Sequence, residues 1–172
     1  MKNPGKHDFE NIINEHYPRL YRSISAYVSG SQIDAEDILQ ETFLKAWKNI
    51  EGFEGASNIY TWLYSIARNL CIDEFRKRKH ENKISNRPIE EFNLVSDTSR
   101  EDDNREDLQI LKKAIESLPE IFRSIVIMRS IDGLTYPEIS EITGINEQTL
   151  KNRMFRAKKQ LAETLKKMGA NP

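Results

Sequence analysis

Gln148, Thr149, Lys151, Asn152 and Arg156 fall within nine consecutive residues, and their side chains are of the kinds that recognise nucleic acid. Gln and Asn amides can bond the edge of adenine, whereas Lys and Arg reach guanine or a phosphate. Leu150, Met154, Ala157, Leu161 and Leu165 recur among and beyond them at helical spacing, so one side of the segment packs and the other stays polar. From Thr149 to Lys167, seven Lys or Arg stand against the single acid Glu163, a net of +6 along one helix. Such a stripe suits phosphate binding. Phe155 and Lys159 complete the candidate surface, with Lys158 and Lys159 expected to grip phosphates, a contact that positions without specifying sequence.

In a helix-turn-helix the helix that reads duplex DNA is presented by a second one, and the preceding residues supply it. Thr135-Tyr136-Pro137-Glu138 has the form of a capping box, with Pro137 in the first turn, where its missing N–H matters least. Ile139 and Ile142 give this short helix an apolar face. Gly144 can take the left-handed conformation that ends it, and Asn146 can cap the long helix that follows. The order is helix, tight turn, basic helix, that of a helix-turn-helix. An ordinary solvated helix pair would share the amphipathic pattern but not the concentration of positive charge.

The whole chain of 172 residues carries a formal charge of only -1, which becomes informative once divided along the sequence. Residues 1 to 80 hold 11 basic and 11 acidic side chains, 81 to 107 hold 4 and 9, and 108 to 172 hold 11 and 7. The middle stretch lacks periodicity and includes Asn86, Pro88, Ser96, Asp97, Ser99 and Glu101-Asp102-Asp103, the composition of a linker. The expectation is an all-α protein of two small helical domains, 1 to 80 and 108 to 172, joined by an acidic tether at 81 to 107.

In the first half, Phe9, Ile12, Ile13, Tyr17, Leu20, Ile24 and Tyr27 recur at helical spacing and predict one helix or a helix pair. Asp34 then caps a segment whose Ile38, Leu39, Phe43, Ala46 and Trp47 form an apolar face, leaving Asp37, Gln40 and Glu41 outward. Composition alone is equally consistent with a solvated surface there. After the loop from Gly52 to Asn58, the stretch Tyr60-Thr61-Trp62-Leu63-Tyr64 leads through Arg68, Asn69 and Asp73 to Arg76-Lys77-Arg78-Lys79. Aromatic rings followed by cations suit an opened strand, with rings stacking on bases and cations tracking phosphates. Trp62, Leu63, Ile66 and Phe75 are expected in the core, with Tyr60 or Tyr64 available for binding.

Three blocks in order resemble the bacterial sigma factors of the extracytoplasmic-function class, initiation subunits of RNA polymerase. The first is Asp34-Ala35-Glu36-Asp37 with Gln40-Glu41-Thr42-Phe43. The second is Thr61-Trp62-Leu63 with Ile66-Ala67-Arg68-Asn69, Asp73 and Arg76. The third is Leu118-Pro119, Arg123, the segment from Tyr136 to Thr143, and Thr149 to Arg156. The resemblance spans nearly the whole chain; Pro137, Ser140 and Leu150 depart from commoner family residues, which bears on promoter preference rather than class. It implies that Asp37, Gln40, Glu41 and Phe43 bind the clamp coiled coil of the polymerase's largest subunit, an acceptor-rich face meeting a basic helix. It implies that Phe53, Gly55, Asn58, Tyr60, Arg68, Asn69 and Arg76 hold the minus-ten strand, where a flipped base must be compensated by a pocket. It implies that Gln148, Thr149, Lys151, Asn152, Phe155, Arg156 and Lys159 read the minus-thirty-five duplex. The acidic linker would thread towards the active-centre and RNA-exit channels, or serve only as a solvated tether. The further partner implied is an anti-sigma protein, either soluble or membrane-bound; the free chain is expected to be a monomer.

Other classes fit less well. A conventional helix-turn-helix regulator, the alternative function, would need a sensor or dimerisation module, and residues 1 to 80 show neither a ligand-pocket pattern nor a heptad seam. An anti-sigma or adaptor protein would not carry both DNA-reading blocks. No Gly-rich phosphate loop or nucleophile-base pair points to an enzyme. Cys71 is the single cysteine and sits among Ile66, Ala67, Leu70 and Phe75 as a small core residue. His7, His16 and His80 lack metal-ligand spacing, so no metal or other cofactor is expected. No apolar run approaches the roughly 20 residues a bilayer requires, and the start lacks a signal-peptide core, so a cytoplasmic protein is expected.

Overall fold

A computed structural model describes residues 8–53, 55, 57–85 and 104–169. Among these residues there are seven α-helices and no strand: α1 Phe9–Val28, α2 Ala35–Asn49, α3 Ile59–Ser85, α4 Asn104–Glu116, α5 Glu120–Val126, α6 Tyr136–Thr143 and α7 Glu147–Lys167. The chain divides into two compact units, the first holding α1 to α3 and the second holding α4, α5, α7 and most of α6. The stretch 86–103, the middle of the expected acidic linker, lies outside the described residues.

In the first unit, α1 is one helix rather than a pair, although it contains Pro18. Pro18 removes one backbone hydrogen bond, but Leu20, Ile24 and Tyr27 bury the next turns and hold the helix together. Packing overrides the local penalty. Asp34 caps α2 as expected, its Oδ1 accepting the Glu36 N–H at 2.7 Å. A short 3-10 turn, Ile50–Gly52, follows α2 and ends where the Phe53 N–H donates to the Ile50 carbonyl at 3.1 Å. Leu20, Ile24, Leu39, Ile50, Leu63 and Tyr64 are fully buried and form the centre of this unit. Each such aliphatic side chain contributes about 1.5 to 3 kcal/mol on burial.

The second unit is built from shorter helices with defined ends. The α5 helix widens into a π-helical turn over Ile127–Ile131, where the Asp132 N–H donates to the Ile127 carbonyl at 3.0 Å. Gly133, at φ +67, then reverses the chain into α6. The Thr135 cap is the predicted capping box: its hydroxyl accepts from the Glu138 N–H, and the Glu138 carboxylate accepts from the Thr135 N–H at 2.7 Å. Gly144 ends α6 in the left-handed region at φ +69, and Asn146 Oδ1 accepts the Thr149 N–H at 2.8 Å to begin α7. Ile125, Ile127, Met128, Leu134, Ile139 and Leu150 are fully buried around this turn. In the first unit α1, α2 and α3 all pack on one another; in the second, α7 packs on α5 and returns to α4, the helix at the other end of the unit.

Candidate polymerase and promoter interfaces

On α2, burial of Ile38, Leu39, Phe43 and Ala46 turns Asp37, Gln40 and Glu41 into solvent. Leu44 continues their stripe one turn further on and is 48% exposed, an apolar side chain beside three acceptors. Glu41 pairs with Lys45 at 3.8 Å, with both side chains about half exposed, so the pair is weak and readily exchanged for another cation. Phe43, expected among the contacts, is instead buried. Its ring meets Phe9 edge-on at 6.4 Å and stacks on Tyr17 at 6.2 Å, so it props α1 against α2. Trp47, expected in the core, touches Phe9 at 5.2 Å yet is 40% exposed.

The loop and helix expected to hold an opened strand are only partly available. Phe53 is buried against Trp62, with ring centroids 5.0 Å apart. The expectation that Tyr60 or Tyr64 is exposed fails, since both are buried. The Arg19 guanidinium lies 3.8 Å from the Tyr60 ring centre, and the Ser23 hydroxyl is 3.4 Å from the Tyr60 hydroxyl. Tyr60 is therefore a strut between α1 and α3. Asn58 is exposed and its Oδ1 accepts the Tyr60 N–H at 2.8 Å, which sets the start of α3. Gly55 is exposed at φ +70, and Arg68 is half-buried. Asn69 and Arg76 are exposed and share one face of α3 with the half-buried Trp62, at seven-residue spacing. Arg76 pairs with Asp73 at 3.6 Å, exposed on both sides. The aromatic on this face is thus Trp62, a residue that helical periodicity assigns to the core.

On α7, the stripe Leu150, Met154 and Ala157 is buried, while Gln148, Lys151, Asn152, Arg156, Lys158 and Lys159 are exposed. Thr149 is half-buried and its N–H is taken by the Asn146 cap. Phe155 is 73% exposed, well beyond any other large apolar side chain on this helix. Gln148, Asn152, Phe155 and Lys159, at i, i+4, i+7 and i+11, run down the middle of the outer face. A surface of two amides, an aromatic ring and cations along one helix can hydrogen-bond base edges and hold phosphates at once.

The sequence model for Sigma-70 region 2 matches residues 12–81, and that for Sigma-70 region 4 matches residues 108–161. RNA polymerase sigma factor SigV of Bacillus subtilis is 34% identical over 90% of this chain and 89% of its own length. The chain belongs to the extracytoplasmic-function class of RNA polymerase sigma factors. It is a transcription initiation factor that directs polymerase to promoters, not an enzyme, and membership of this class does not favour the conventional-regulator alternative. ECF RNA polymerase sigma factor SigE of Mycolicibacterium smegmatis is 31% identical over 92% of this chain, which spans 62% of that longer protein. A solved structure of the sigma factor RpoE in complex with the anti-sigma factor NepR, from Bartonella quintana, has a TM-score of 0.80 at 31% identity, covering 92% of this chain and 97% of that one.

Among the described residues of this sigma factor, no group of three His, Cys, Asp or Glu side chains is placed to hold a metal. No described helix is long and apolar enough to cross a membrane. One residue beside α6 and α7 carries no signal in the sequence. Arg129, exposed on the π-helical turn, donates from Nη1 to the Leu134 carbonyl at 3.1 Å and lies over the Tyr136 ring. Neither helical periodicity nor capping marks it, because the wider turn shifts it out of the 3.6-residue register.

Proposed function

We propose that this sigma factor meets polymerase through α2 and promoter DNA through α3 and α7. Asp37, Gln40 and Glu41 accept hydrogen bonds from basic side chains of the clamp coiled coil, with Leu44 adding apolar contact at the end of the stripe. The opened minus-ten strand lies along Trp62, Asn69 and Arg76, with Gly55, Asn58 and Arg68 beside it; stacking on Trp62 takes the part expected of Tyr60. Gln148, Asn152, Phe155 and Arg156 read the minus-thirty-five duplex, while Lys158 and Lys159 hold its backbone. Phe43, Phe53, Tyr60 and Thr149 act indirectly, by setting the elements that carry these contacts. The domains follow the expected 1–80 and 108–172, and the acidic stretch 81–107 tethers them within polymerase, although its two ends belong to helices, α3 continuing to Ser85 and α4 beginning at Asn104.

The observation that carries this reading is the outer face of α7, where amides, an aromatic ring and cations remain in solvent while Leu150, Met154 and Ala157 anchor the helix. An anti-sigma protein, soluble or membrane-bound, is the expected inhibitor, and the free chain is a cytoplasmic monomer; the RpoE complex with NepR supports such a partner by likeness. The test mixes purified protein with sigma-free core polymerase and genomic fragments and maps the transcripts made. Starts should share two spaced upstream elements, and a chain with Asp37→Arg and Glu41→Arg should lose co-purification with polymerase at unchanged helix content. Normal co-purification of that variant would refute the α2 assignment.

A further inference from the structure

The flank of α7 nearest α6 carries an arrangement unlike the rest of the helix. Two cationic head groups converge on one ring: the Arg129 guanidinium carbon lies 5.4 Å from the centre of Tyr136, and Lys151 Nζ lies 5.6 Å from it. Both side chains are exposed and the ring they share is half-buried. The ring face offsets only part of the cost of gathering two positive charges at one exposed place. Backbone phosphate would complete the arrangement, because charge-assisted hydrogen bonds to it satisfy each cation. Two acids lie near. Glu147 pairs with Lys151 at 3.7 Å on an exposed surface, and the Glu138 carboxylate is engaged by the Thr135 N–H and hydroxyl of the capping box.

The backbone is shaped to hold Arg129 there. The π-helical turn adds a residue to the coil, and the Leu134 N–H donates to the Met128 carbonyl at 3.0 Å, which folds the segment back beside α6. The Leu134 carbonyl then accepts from Arg129 Nη1, fixing one edge of the guanidinium. Widened turns of this kind are frequent at functional positions. Lys151 lies at the edge of the outer face, away from the line of Gln148, Asn152, Phe155 and Lys159, and the Glu147 pair and the Tyr136 ring hold its head group on the α6 side.

We propose that Arg129 and Lys151, gathered at Tyr136, grip backbone phosphate of the promoter duplex, so that Lys151 holds the backbone and does not read a base. This rests on α7 being the duplex-reading helix. The test uses the full chain assembled with core polymerase. Affinity is measured across a salt series, for a promoter duplex and for duplexes changed one base pair at a time in the upstream element. Lys151→Ala and Arg129→Gln, the latter keeping a donor for Leu134, should each weaken binding by the same factor on every duplex and lower the salt slope by about 1. If Lys151→Ala relaxes preference at one base pair with the slope unchanged, Lys151 reads a base and the proposal falls. If Gln148→Ala and Asn152→Ala alter base preference while both cation variants leave the slope unmoved, the phosphate site is wrong and the α7 reading survives. If none of the four variants changes binding, α7 is not the reader and both fall.

Discussion

Cys71 is fully buried on α3, and burial pushes its thiol up to about 12 from an ordinary value of 9.0, with the nearby Arg68 charge opposing only in part. A thiol held protonated is a poor nucleophile, which makes Cys71 a packing residue rather than a redox sensor. The unfolded chain releases this proton near pH 9 and the folded chain keeps it until about 12. Stability is therefore full below pH 9 and declines as pH rises between those values, by up to about 1.4 kcal/mol per pH unit. Urea midpoints of the natural chain and Cys71→Ala, compared at pH 8 and 10.5, should diverge, with the natural chain losing more. Parallel losses would show that the thiol is not desolvated. The same physics acts on His16, whose pKa is lowered chiefly by burial, with Glu15 opposing and Arg19 reinforcing.

Elements with strong local signals are legible in the sequence itself. The α6 helix is only eight residues long, too short to persist by itself, so its ends carry much of its stability. Thr135→Ala removes the hydroxyl half of the capping box and should destabilise the second unit by about 1 kcal/mol, read as a shift in its denaturation midpoint with little change at the first unit. No shift would mean that packing of Ile139 and Ile142 alone sustains α6. Asp34, Thr135, Gly144 and Asn146 are identifiable because a cap depends on residues two or three positions away. Tyr60, Phe53 and Trp47 are not, because a ring is buried or exposed according to what a distant helix sets against it. For Tyr60 that is Arg19 and Ser23 on α1. The π-helical turn at Ile127–Ile131 leaves no sequence trace for a similar reason: its register is set by the packing of Ile127, Met128 and Leu134, not by a periodic pattern.

At the scale of the molecule, the two-unit organisation is readable from charge alone, since a neutral segment, an acidic one and a basic one follow each other. Most contacts in each all-helical unit are local along the chain, although α3 must return to α1 and α7 to α4. Low contact order predicts a major refolding phase of milliseconds or faster for each unit in a stopped-flow dilution from urea. A dominant phase of seconds would indicate that one unit needs the other as a template. Synthesis is far slower, at about 5 to 20 residues per second. The chain grown to Ser85 thus has roughly four seconds or more before α7 has been added, ample time for α1 to α3 to assemble. The α2 face is complete while α7 is still being made, so under the proposed assignments the surface that docks on polymerase is finished before the helix that reads the duplex exists.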